Sequence, residues 1–290
     1  MKPAPFDYHV PSSILEAAEL LGRLPDARVI AGGQSLLPML NLRAVTPSHL
    51  IDIANIAELR GIRETPTSLV IGAMTTQRQI EHSELVRTHC PLLSETIGHV
   101  GHQQTRNRGT IGGSLCHLDP GAELPVAAAV LEATLTLAGP RQPRTLTFAE
   151  FPAGYLTTVL QTDEILTTIE IPKAGSSVGY AFLEFNQRPA DFAVVCVAVL
   201  VRLDGGRIDN AKIAVGGMGY APVRLLDAET MLARQTFGDI LIDAAAAIAT
   251  RIPCQGDGVN PPHFRQRLAG VLVKRALKIA IDRAKASVDA

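Results

Sequence analysis

The segment "ARVIAGGQSLLPML", from Ala27 to Leu40, joins an apolar run to two adjacent glycines and a nearby serine. The segment "RGTIGGSLCHLDPGAELP", from Arg108 to Pro125, repeats that order later in the chain. Glycine allows a positive φ and a close approach of a ligand to the main chain, and successive amides in such a turn form an anion-binding nest. With a serine hydroxyl beside each nest, the two segments predict a clamp for the two phosphates of a dinucleotide.

Glycine pairs also occur in ordinary tight turns at strand ends, and that alternative stays open for either segment alone. The matching flanks of Gly32-Gly33 and Gly112-Gly113 favour phosphate binding for the two together. Neither segment has the G-x-G-x-x-G spacing of a Rossmann turn, and the sequence has no Gly-Lys-Ser/Thr loop. The pattern does not name the ligand.

The chain of 290 residues, 47 % of them apolar, is expected to form two domains with a substantial core. Its formal net charge of −1 gives no long-range attraction for nucleic acid or anionic lipid, and Arg106 and Arg108 are expected in a solvated loop. The N-terminus lacks the apolar core of a signal peptide. The longest apolar run, Ala193 to Val201, is too short to span a bilayer. We therefore expect a cytoplasmic protein without a membrane span.

The four cysteines are scattered without a Cys-x-x-Cys pair, which argues against an iron–sulfur cluster on this chain and against a disulfide scaffold. Cys116 could be an activated thiolate, but a small apolar residue beside a ligand turn fits its position better. His99 and His102 have no third ligand nearby, and His117 with Asp119 fits a loop packed on a ligand better than a metal site. No metal and no catalytic residue are predicted.

Local patterns predict an α+β fold. Ser13 with Glu16 fits a capping box before a helix, strands are expected at residues 28–30, 49–53 and 68–76, and helices are expected from Thr76 and from Pro91. Further strands alternate up to residue 172, and a linker is expected at residues 173–177. Beyond it, Asp204-Gly205-Gly206-Arg207 predicts a hairpin turn, followed by helices over residues 239–252 and 262–285. In the last helix, one face is expected to carry Leu268, Leu272, Arg275 and Ile279.

The segments "AGGQSLLP", "RNRGTIGGSLCHLDPGAELP" and "RPADFAVVCVAV" together resemble the FAD-binding medium subunits of molybdenum hydroxylases, the family of xanthine dehydrogenase and carbon monoxide dehydrogenase. The resemblance covers nearly the whole chain. It implies a two-part FAD-binding domain of the vanillyl-alcohol-oxidase (PCMH) type at residues 1–175, with subdomains at about 1–55 and 56–175. It also implies a C-terminal domain of the CO dehydrogenase flavoprotein type, built of antiparallel strands plus helices, at residues 176–290.

The resemblance further implies which residues bind the cofactor. Amides and hydroxyls around the pyrophosphate and flavin would come from Ala31, Gly32, Gly33, Gln34, Ser35, Thr110, Ile111, Gly112, Gly113 and Ser114. Leu36 and Leu37 would pack beside the ring system. Asp119 and Glu123 would accept hydrogen bonds from sugar hydroxyls, although an exposed loop acid remains an alternative for Glu123. Phe192 stands where relatives often have tyrosine near the isoalloxazine, and a plain core phenylalanine is its alternative.

Gln34 departs from the family pattern, because many relatives have histidine at this position. Some related flavoproteins attach FAD covalently through a histidine near such a motif. Glutamine cannot form that bond, so non-covalent FAD is expected.

The resemblance implies an oxidoreductase: the medium subunit of a three-chain molybdenum hydroxylase. Electrons would reach FAD on this chain from a small subunit with [2Fe–2S] clusters and leave to an external acceptor. Molybdopterin would lie on a large subunit, in a dimer of heterotrimers. The motifs are most similar to those of enzymes that hydroxylate N-heteroaromatic compounds. A stand-alone FAD-dependent oxidoreductase and a non-enzymatic nucleotide-binding module remain alternatives.

Overall fold

The computed structural model describes residues 1–175 and 177–288, with only the backbone of Val288. Ser176, in the expected linker, lies outside the described residues, as do Asp289 and Ala290 at the end of the expected C-terminal domain. Sheets and helices are mixed along the chain, which confirms the α+β class.

The N-terminal layer is a three-stranded parallel sheet. Its elements are β1 (Asp7–His9), α1 (Ile14–Arg23), β2 (Ala27–Ile30), α2 (Leu36–Asn41) and β3 (His49–Asp52), with the strand order β1–β3–β2. Helix α1 begins where predicted, because the Ser13 hydroxyl accepts a hydrogen bond from the amide of Glu16. The Glu16 carboxylate bonds to Ser12 instead of Ser13, so only half of the expected capping box forms. The chain leaves β2 and β3 at the same edge of the sheet, since the two strands are parallel.

The second layer is a five-stranded antiparallel sheet on which a group of short helices packs. Its elements in chain order are a 3-10 turn (Ala57–Leu59), β4 (Ile62–Glu64), β5 (Ser68–Gly72), α3 (Gln77–Glu81), α4 (Glu84–His89), α5 (Pro91–His99), α6 (Gln103–Arg108), α7 (Ile111–His117), α8 (Glu123–Val130), β6 (Thr134–Ala138), β7 (Arg144–Thr147), a 3-10 turn (Phe148–Glu150), β8 (Pro152–Gly154), β9 (Thr157–Thr158) and β10 (Ile165–Pro172). The strand order is β4–β5–β10–β6–β7, and β8 pairs with β9 in a separate hairpin. Strand β5 ends before the predicted residue 76, because Thr76 caps α3 in a complete capping box with Gln79.

The C-terminal layer is a four-stranded antiparallel sheet followed by helices. Its elements are β11 (Val178–Phe185), β12 (Val195–Asp204), β13 (Arg207–Gly216), β14 (Val223–Arg224), α9 (Leu226–Leu232), α10 (Asp239–Ala249) and α11 (Pro262–Val288). The predicted hairpin turn joins β12 to β13, with positive φ at both Gly205 and Gly206. No helix of the described ranges is both long and apolar enough to cross a membrane.

The C-terminal sheet is covered on both faces. One face packs against α10 and α11 around residues such as Val197 and Ile213. From the other face, Phe182, Cys196 and Ala214 enter the core that contains α5 and α8. The apolar core of the second layer therefore continues onto the third. The expected domain boundary near residue 175 stays a prediction.

In α11, Ala269, Leu272 and Ala280 belong to the buried face, whereas Arg275 is exposed. That face is lined with small residues because the helix lies against β11 so closely that a β-carbon on Gly179 would stand 1.7 Å from the Ala280 carbonyl oxygen.

Arg106, expected in a solvated loop, lies in α6 and is only 13 % exposed. It donates hydrogen bonds to both oxygens of Glu81 and to the carbonyl oxygens of Val100 and Gly101. Arg106 therefore forms its hydrogen bonds inside the protein, because tertiary packing places the end of α5 and helix α3 next to its guanidinium group.

Candidate functional site

The two glycine segments are in direct contact. A β-carbon on Gly32 would stand 2.1 Å from the carbonyl oxygen of Arg108 and 2.9 Å from Cα of Gly109. A β-carbon on Gly113 would stand 3.6 Å from that of Ala31. The turn after β2 and the start of α7 therefore lie side by side, and we call the surface along this junction the groove. Glycine is needed at position 32 because of this close approach.

The first segment presents hydrogen-bond donors without acceptors. Gly33 has a φ of +74°, and its carbonyl oxygen accepts from the amide of Leu37 at the start of α2. The amides of Gly32, Gly33, Gln34 and Ser35 make no hydrogen bond with any described residue. The Ser35 hydroxyl makes no capping bond, although Ser35 precedes α2. Neighbouring unpaired amides beside a free hydroxyl can bind phosphate oxygens.

The second segment is built differently from the sequence expectation. Gly112 and Gly113 lie in the first turn of α7 instead of a second positive-φ turn, so that expectation is wrong. The amides of Ile111 and Gly112 donate to the carbonyl oxygens of Thr75 and Ala73, and the amide of Gly113 donates to the Thr110 hydroxyl. These three amides therefore have hydrogen-bond partners inside the protein and are not free to bind a ligand. The Ser114 hydroxyl makes no hydrogen bond within the described chain.

Close packing explains the glycine at position 112. A β-carbon there would stand 2.6 Å from that of Ala73 and 2.7 Å from its carbonyl oxygen. The second segment therefore contributes to the groove through close approach and hydroxyl groups, and the first through free amides.

Tyr8, Asp52 and Arg108 flank the first glycine segment at the edge of the parallel sheet, and sequence analysis missed this group as a unit. The Tyr8 hydroxyl donates a short hydrogen bond to Asp52, which raises the pKa of Tyr8, whereas the nearby Arg108 guanidinium acts in the opposite direction. Asp52 is the last residue of β3. The position of Asp52 could have indicated the site from the sequence, because ligands of α/β sheets lie at the carboxyl ends of the strands.

Glu123 is buried at the start of α8, with 3 % of its surface exposed, so the exposed-loop alternative is wrong. Burial raises the pKa of Glu123 to about 8, and the charges of Glu184 and Asp119 act in the same direction. Asp119 accepts a hydrogen bond from the amide of Gly121 through Oδ1. A carboxyl group in these surroundings carries a proton near neutral pH and can donate as well as accept a hydrogen bond.

Phe192 lies beside this acidic segment and is 58 % exposed, so it is not a core phenylalanine. A β-carbon on Gly121 would stand 3.3 Å from that of Phe192 and 2.9 Å from the carbonyl oxygen of Ala193. Leu37 is partly exposed as well, and its Cδ1 lies over Gly33. Leu36 is half-buried. The contacts of these apolar residues with a ring system stay predictions.

The other reactive side chains have structural partners. The Nδ1 atom of His99 lies 3.2 Å from Glu184, and no metal-holding cluster of three or more His, Cys, Asp or Glu side chains lies in residues 1–175 and 177–288. Burial raises the pKa of Cys116 to about 12, so this thiol is not activated. His117 belongs to α7 and Asp119 to the loop after it.

Family models match almost all of the chain. One, described as the FAD binding domain in molybdopterin dehydrogenase, matches residues 4–174. The other, described as the CO dehydrogenase flavoprotein C-terminal domain, matches residues 180–280.

Individual relatives match over their full length. The carbon monoxide dehydrogenase medium chain of Afipia carboxidovorans is 36 % identical over 98 % of this chain and 100 % of its own. The caffeine dehydrogenase subunit beta of a Pseudomonas species (strain CBB1) is 36 % identical over 98 % of this chain and 97 % of its own. Among solved structures, a carbon monoxide dehydrogenase from Hydrogenophaga pseudoflava superposes with a TM-score of 0.95 at 39 % identity, over 98 % of this chain and 99 % of that one.

Proposed function

The chain belongs to the family of FAD-binding medium subunits of molybdenum hydroxylases, and from this premise we propose that it carries electrons from an iron–sulfur subunit to an external acceptor through FAD held between its two glycine segments. The contact between Gly32 and Arg108 carries this proposal, because it places the free amides of the first segment opposite the start of α7 in one groove.

The hydrogen-bond donors of the groove suit FAD. The unpaired amides of residues 32–35 and the hydroxyls of Ser35 and Ser114 suit a pyrophosphate, which offers only acceptors. Charge-assisted hydrogen bonds of this kind contribute roughly 1.5–3 kcal/mol each. Protonated Glu123 suits the hydroxyl-rich and ring portions of the cofactor, where a hydrogen-bond donor and acceptor are both useful.

We assign cofactor contacts to the residues of the groove and its rim as a proposal. They are Ala31, Gly32, Gly33, Gln34, Ser35, Leu36, Leu37, Thr110, Ile111, Gly112, Gly113, Ser114, Asp119, Glu123 and Phe192. In the second segment, Ile111 and Gly112 would act through close van der Waals approach, since their amides are bonded inside the protein.

Bound FAD supplies the redox chemistry, since its ring system takes up one or two electrons. The chain supplies binding, orientation and electrostatics. The Gln34 side chain is turned back towards the Gly32 carbonyl oxygen, which accepts from Nε2 at 3.3 Å. It offers no nucleophile, so the flavin is held without a covalent bond.

Partner subunits complete the proposed enzyme. We propose a [2Fe–2S] small subunit and a molybdopterin-bearing large subunit in a dimer of heterotrimers, which hydroxylates an N-heteroaromatic compound. The substrate class rests on similarity to the caffeine dehydrogenase subunit. The carbon monoxide dehydrogenase medium chain is also 36 % identical to this chain. Turnover by the complete complex with N-heteroaromatic compounds and with carbon monoxide therefore tests the substrate class.

Titration of the full chain with FAD tests the proposal. We expect quenching of flavin fluorescence at a one-to-one ratio, no reduction of the bound flavin by an N-heteroaromatic substrate, and rapid reduction once reduced partner subunits are added. Acid precipitation should release all flavin into the supernatant. Rapid reduction of the flavin by the organic substrate without partners would overturn the carrier function, and flavin retained in the pellet would overturn the non-covalent site.

A further inference from the structure

A second buried carboxyl group lies near Glu123. Glu184, on β11, points to the same side of its sheet as Phe182 and stands opposite Cys196 of β12. Around Cys196 the sheet meets α8, since a β-carbon on Gly216 would stand 2.7 Å from Sγ of Cys196 and 2.5 Å from Cγ2 of Val126. Glu123 precedes Val126 by three residues on the same side of α8, so Glu123 and Glu184 both lie next to the buried region around Cys196.

Glu184 is only partly satisfied by hydrogen bonds. Its side chain is 7 % exposed, and Oε1 lies 3.2 Å from Nδ1 of His99 and accepts from Nδ2 of Asn186 at 3.0 Å. Its Oε2 atom is buried and has no partner among the described residues. A buried carboxylate oxygen without a donor is unfavourable and rare in native structures. A proton on Oε2 of Glu184, or a hydrogen-bond donor next to it, would satisfy this atom.

The surroundings favour a shared proton. Burial raises the pKa of Glu123 to about 8, with the charge of Glu184 contributing, and both carboxyl groups act on the buried Cys196 thiol, whose pKa is raised mainly by burial. No described lysine or arginine forms an ion pair with either carboxyl group. Two nearby carboxyl groups without a cation hold one proton between them more easily than two charges.

The remaining charged groups around the pair are accounted for. From α5, Glu95 accepts from the amide of Phe182 and pairs with Arg283 of α11. Asp119, in the loop before α8, is bonded to the Gly121 amide. His99 is the member in contact with water, being 37 % exposed, with its ring packed 5.1 Å from that of Phe182. His99 at the surface thus contacts Glu184, which lies in the buried region beside the start of α8.

We propose that Glu184 and Glu123 hold a proton between them and that His99 exchanges it with water, so that the three residues form a proton route to the bound flavin. This inference rests on the proposed function. Electrons from an iron–sulfur partner arrive without protons, so each electron pair taken up calls for a proton from the protein. Glu123 would give the proton of its carboxyl O–H to the bound flavin, Glu184 would return a proton to the Glu123 carboxylate, and His99 would pass a proton to Glu184 and be reprotonated by solvent. The three residues end in their starting protonation states, and the net change is one proton moved from solvent to the flavin.

Stopped-flow reduction of the FAD-loaded full chain by dithionite tests the route, because this reductant supplies electrons without protons. The variants are Glu184→Gln and His99→Ala, with His102→Ala as a matched control on an exposed histidine three residues further along the chain. We expect reduction to slow on the order of 10²-fold in the first two, the lower end for positioned acid–base groups. Free imidazole should restore the rate of His99→Ala, and the control should match the wild type.

A measurement on the protein without flavin gives an independent readout. With ¹³C-labelled glutamate carboxyl groups, the wild-type chain should show one carboxyl titrating near pH 8, the value to which burial raises the pKa of Glu123. Glu123→Gln should remove this titration, and Glu184→Gln should move it to lower pH without abolishing it, since burial is the larger cause.

The outcomes separate this inference from the proposed function. A chain that binds no FAD overturns both. A chain that binds FAD normally, but whose two variants are reduced at the wild-type rate without any response to imidazole, overturns the proton route alone. Absence of a glutamate titrating above about pH 6 would also overturn it, since the shared proton would not exist at neutral pH.

Discussion

The main chain of Gly32 lies against the carbonyl group of Arg108, so closely that a β-carbon on Gly32 would stand 2.1 Å from the Arg108 oxygen. This contact joins the turn after β2 to the end of α6, and it positions the free amides of the first glycine segment opposite α7. Each prediction below tests a feature of the groove or of the packing that supports it.

Gly32→Ala should push the two segments apart. We expect the FAD dissociation constant to rise at least about tenfold, equivalent to about 1.4 kcal/mol, together with a loss of about 1–3 kcal/mol in unfolding free energy from overpacking. Fluorescence titration with FAD and urea unfolding measure the two effects. Gly98→Ala in α5 is the control, because its β-carbon would meet no atom within 4 Å. That change should stabilise the helix by about 0.5–1 kcal/mol and leave FAD affinity unchanged.

Phe192 should contribute to FAD binding but little to the unfolding free energy, because 58 % of its surface is exposed. Phe192→Ala is expected to change the unfolding free energy by no more than about 0.5 kcal/mol while weakening FAD binding. Phe182→Ala, at a residue 1 % exposed, should cost about 3–5 kcal/mol instead. Fluorescence titration measures the FAD affinity, and an unchanged affinity of Phe192→Ala would contradict the assignment of Phe192 to the site.

Glu123 should make the stability of the flavin-free chain decrease as the pH rises. Burial raises its pKa from 4.5 to about 8, so between these values the folded state keeps a proton that the unfolded state releases. The unfolding free energy is therefore expected to fall by roughly 2–4 kcal/mol across this window and to level off above it.

Urea unfolding at pH 5, 6.5 and 8.5 measures this dependence, and Glu123→Gln provides the comparison. The variant should lose most of the decrease, since its amide does not titrate. If the unfolding free energy of the wild type instead rose from pH 5 to pH 8.5 as much as that of Glu123→Gln, Glu123 would be ionised in the folded state over this range.

Arg106 should be a major contributor to stability, because its side chain is 13 % exposed and its guanidinium binds Glu81 and two carbonyl oxygens. Arg106→Gln leaves Glu81 without its main partner and should cost about 3–5 kcal/mol. Arg87, whose partner Glu84 lies in the same helix, is 56 % exposed. Arg87→Gln should cost no more than about 0.5 kcal/mol in the same unfolding experiment. Similar costs for both would contradict a buried structural function for Arg106.

Local features were predictable from the sequence. Ser13 before an apolar helical pattern predicted the start of α1, Thr76 predicted the start of α3, and Asp204 to Arg207 predicted the turn between β12 and β13. Each of these depends on residues within a few positions of one another, so their chemistry is legible in the sequence. The glycine pattern alone did not name the ligand, but the resemblance carried by the two glycine segments and residues 188–199 identified the family and its cofactor.

Contacts between distant residues were decided by the tertiary structure. The sequence could not distinguish the two reasons for glycine, namely a positive φ at Gly33 and close packing on Ala73 at Gly112. It placed Arg106 in solvent, because a charge is buried or exposed according to partners far along the chain. It also did not pair His99 with Glu184, which are separated by the whole of α6, α7, α8 and the strands up to β11. Backbone preferences act locally, whereas burial and electrostatics depend on which segments meet, and only the folded chain determines that.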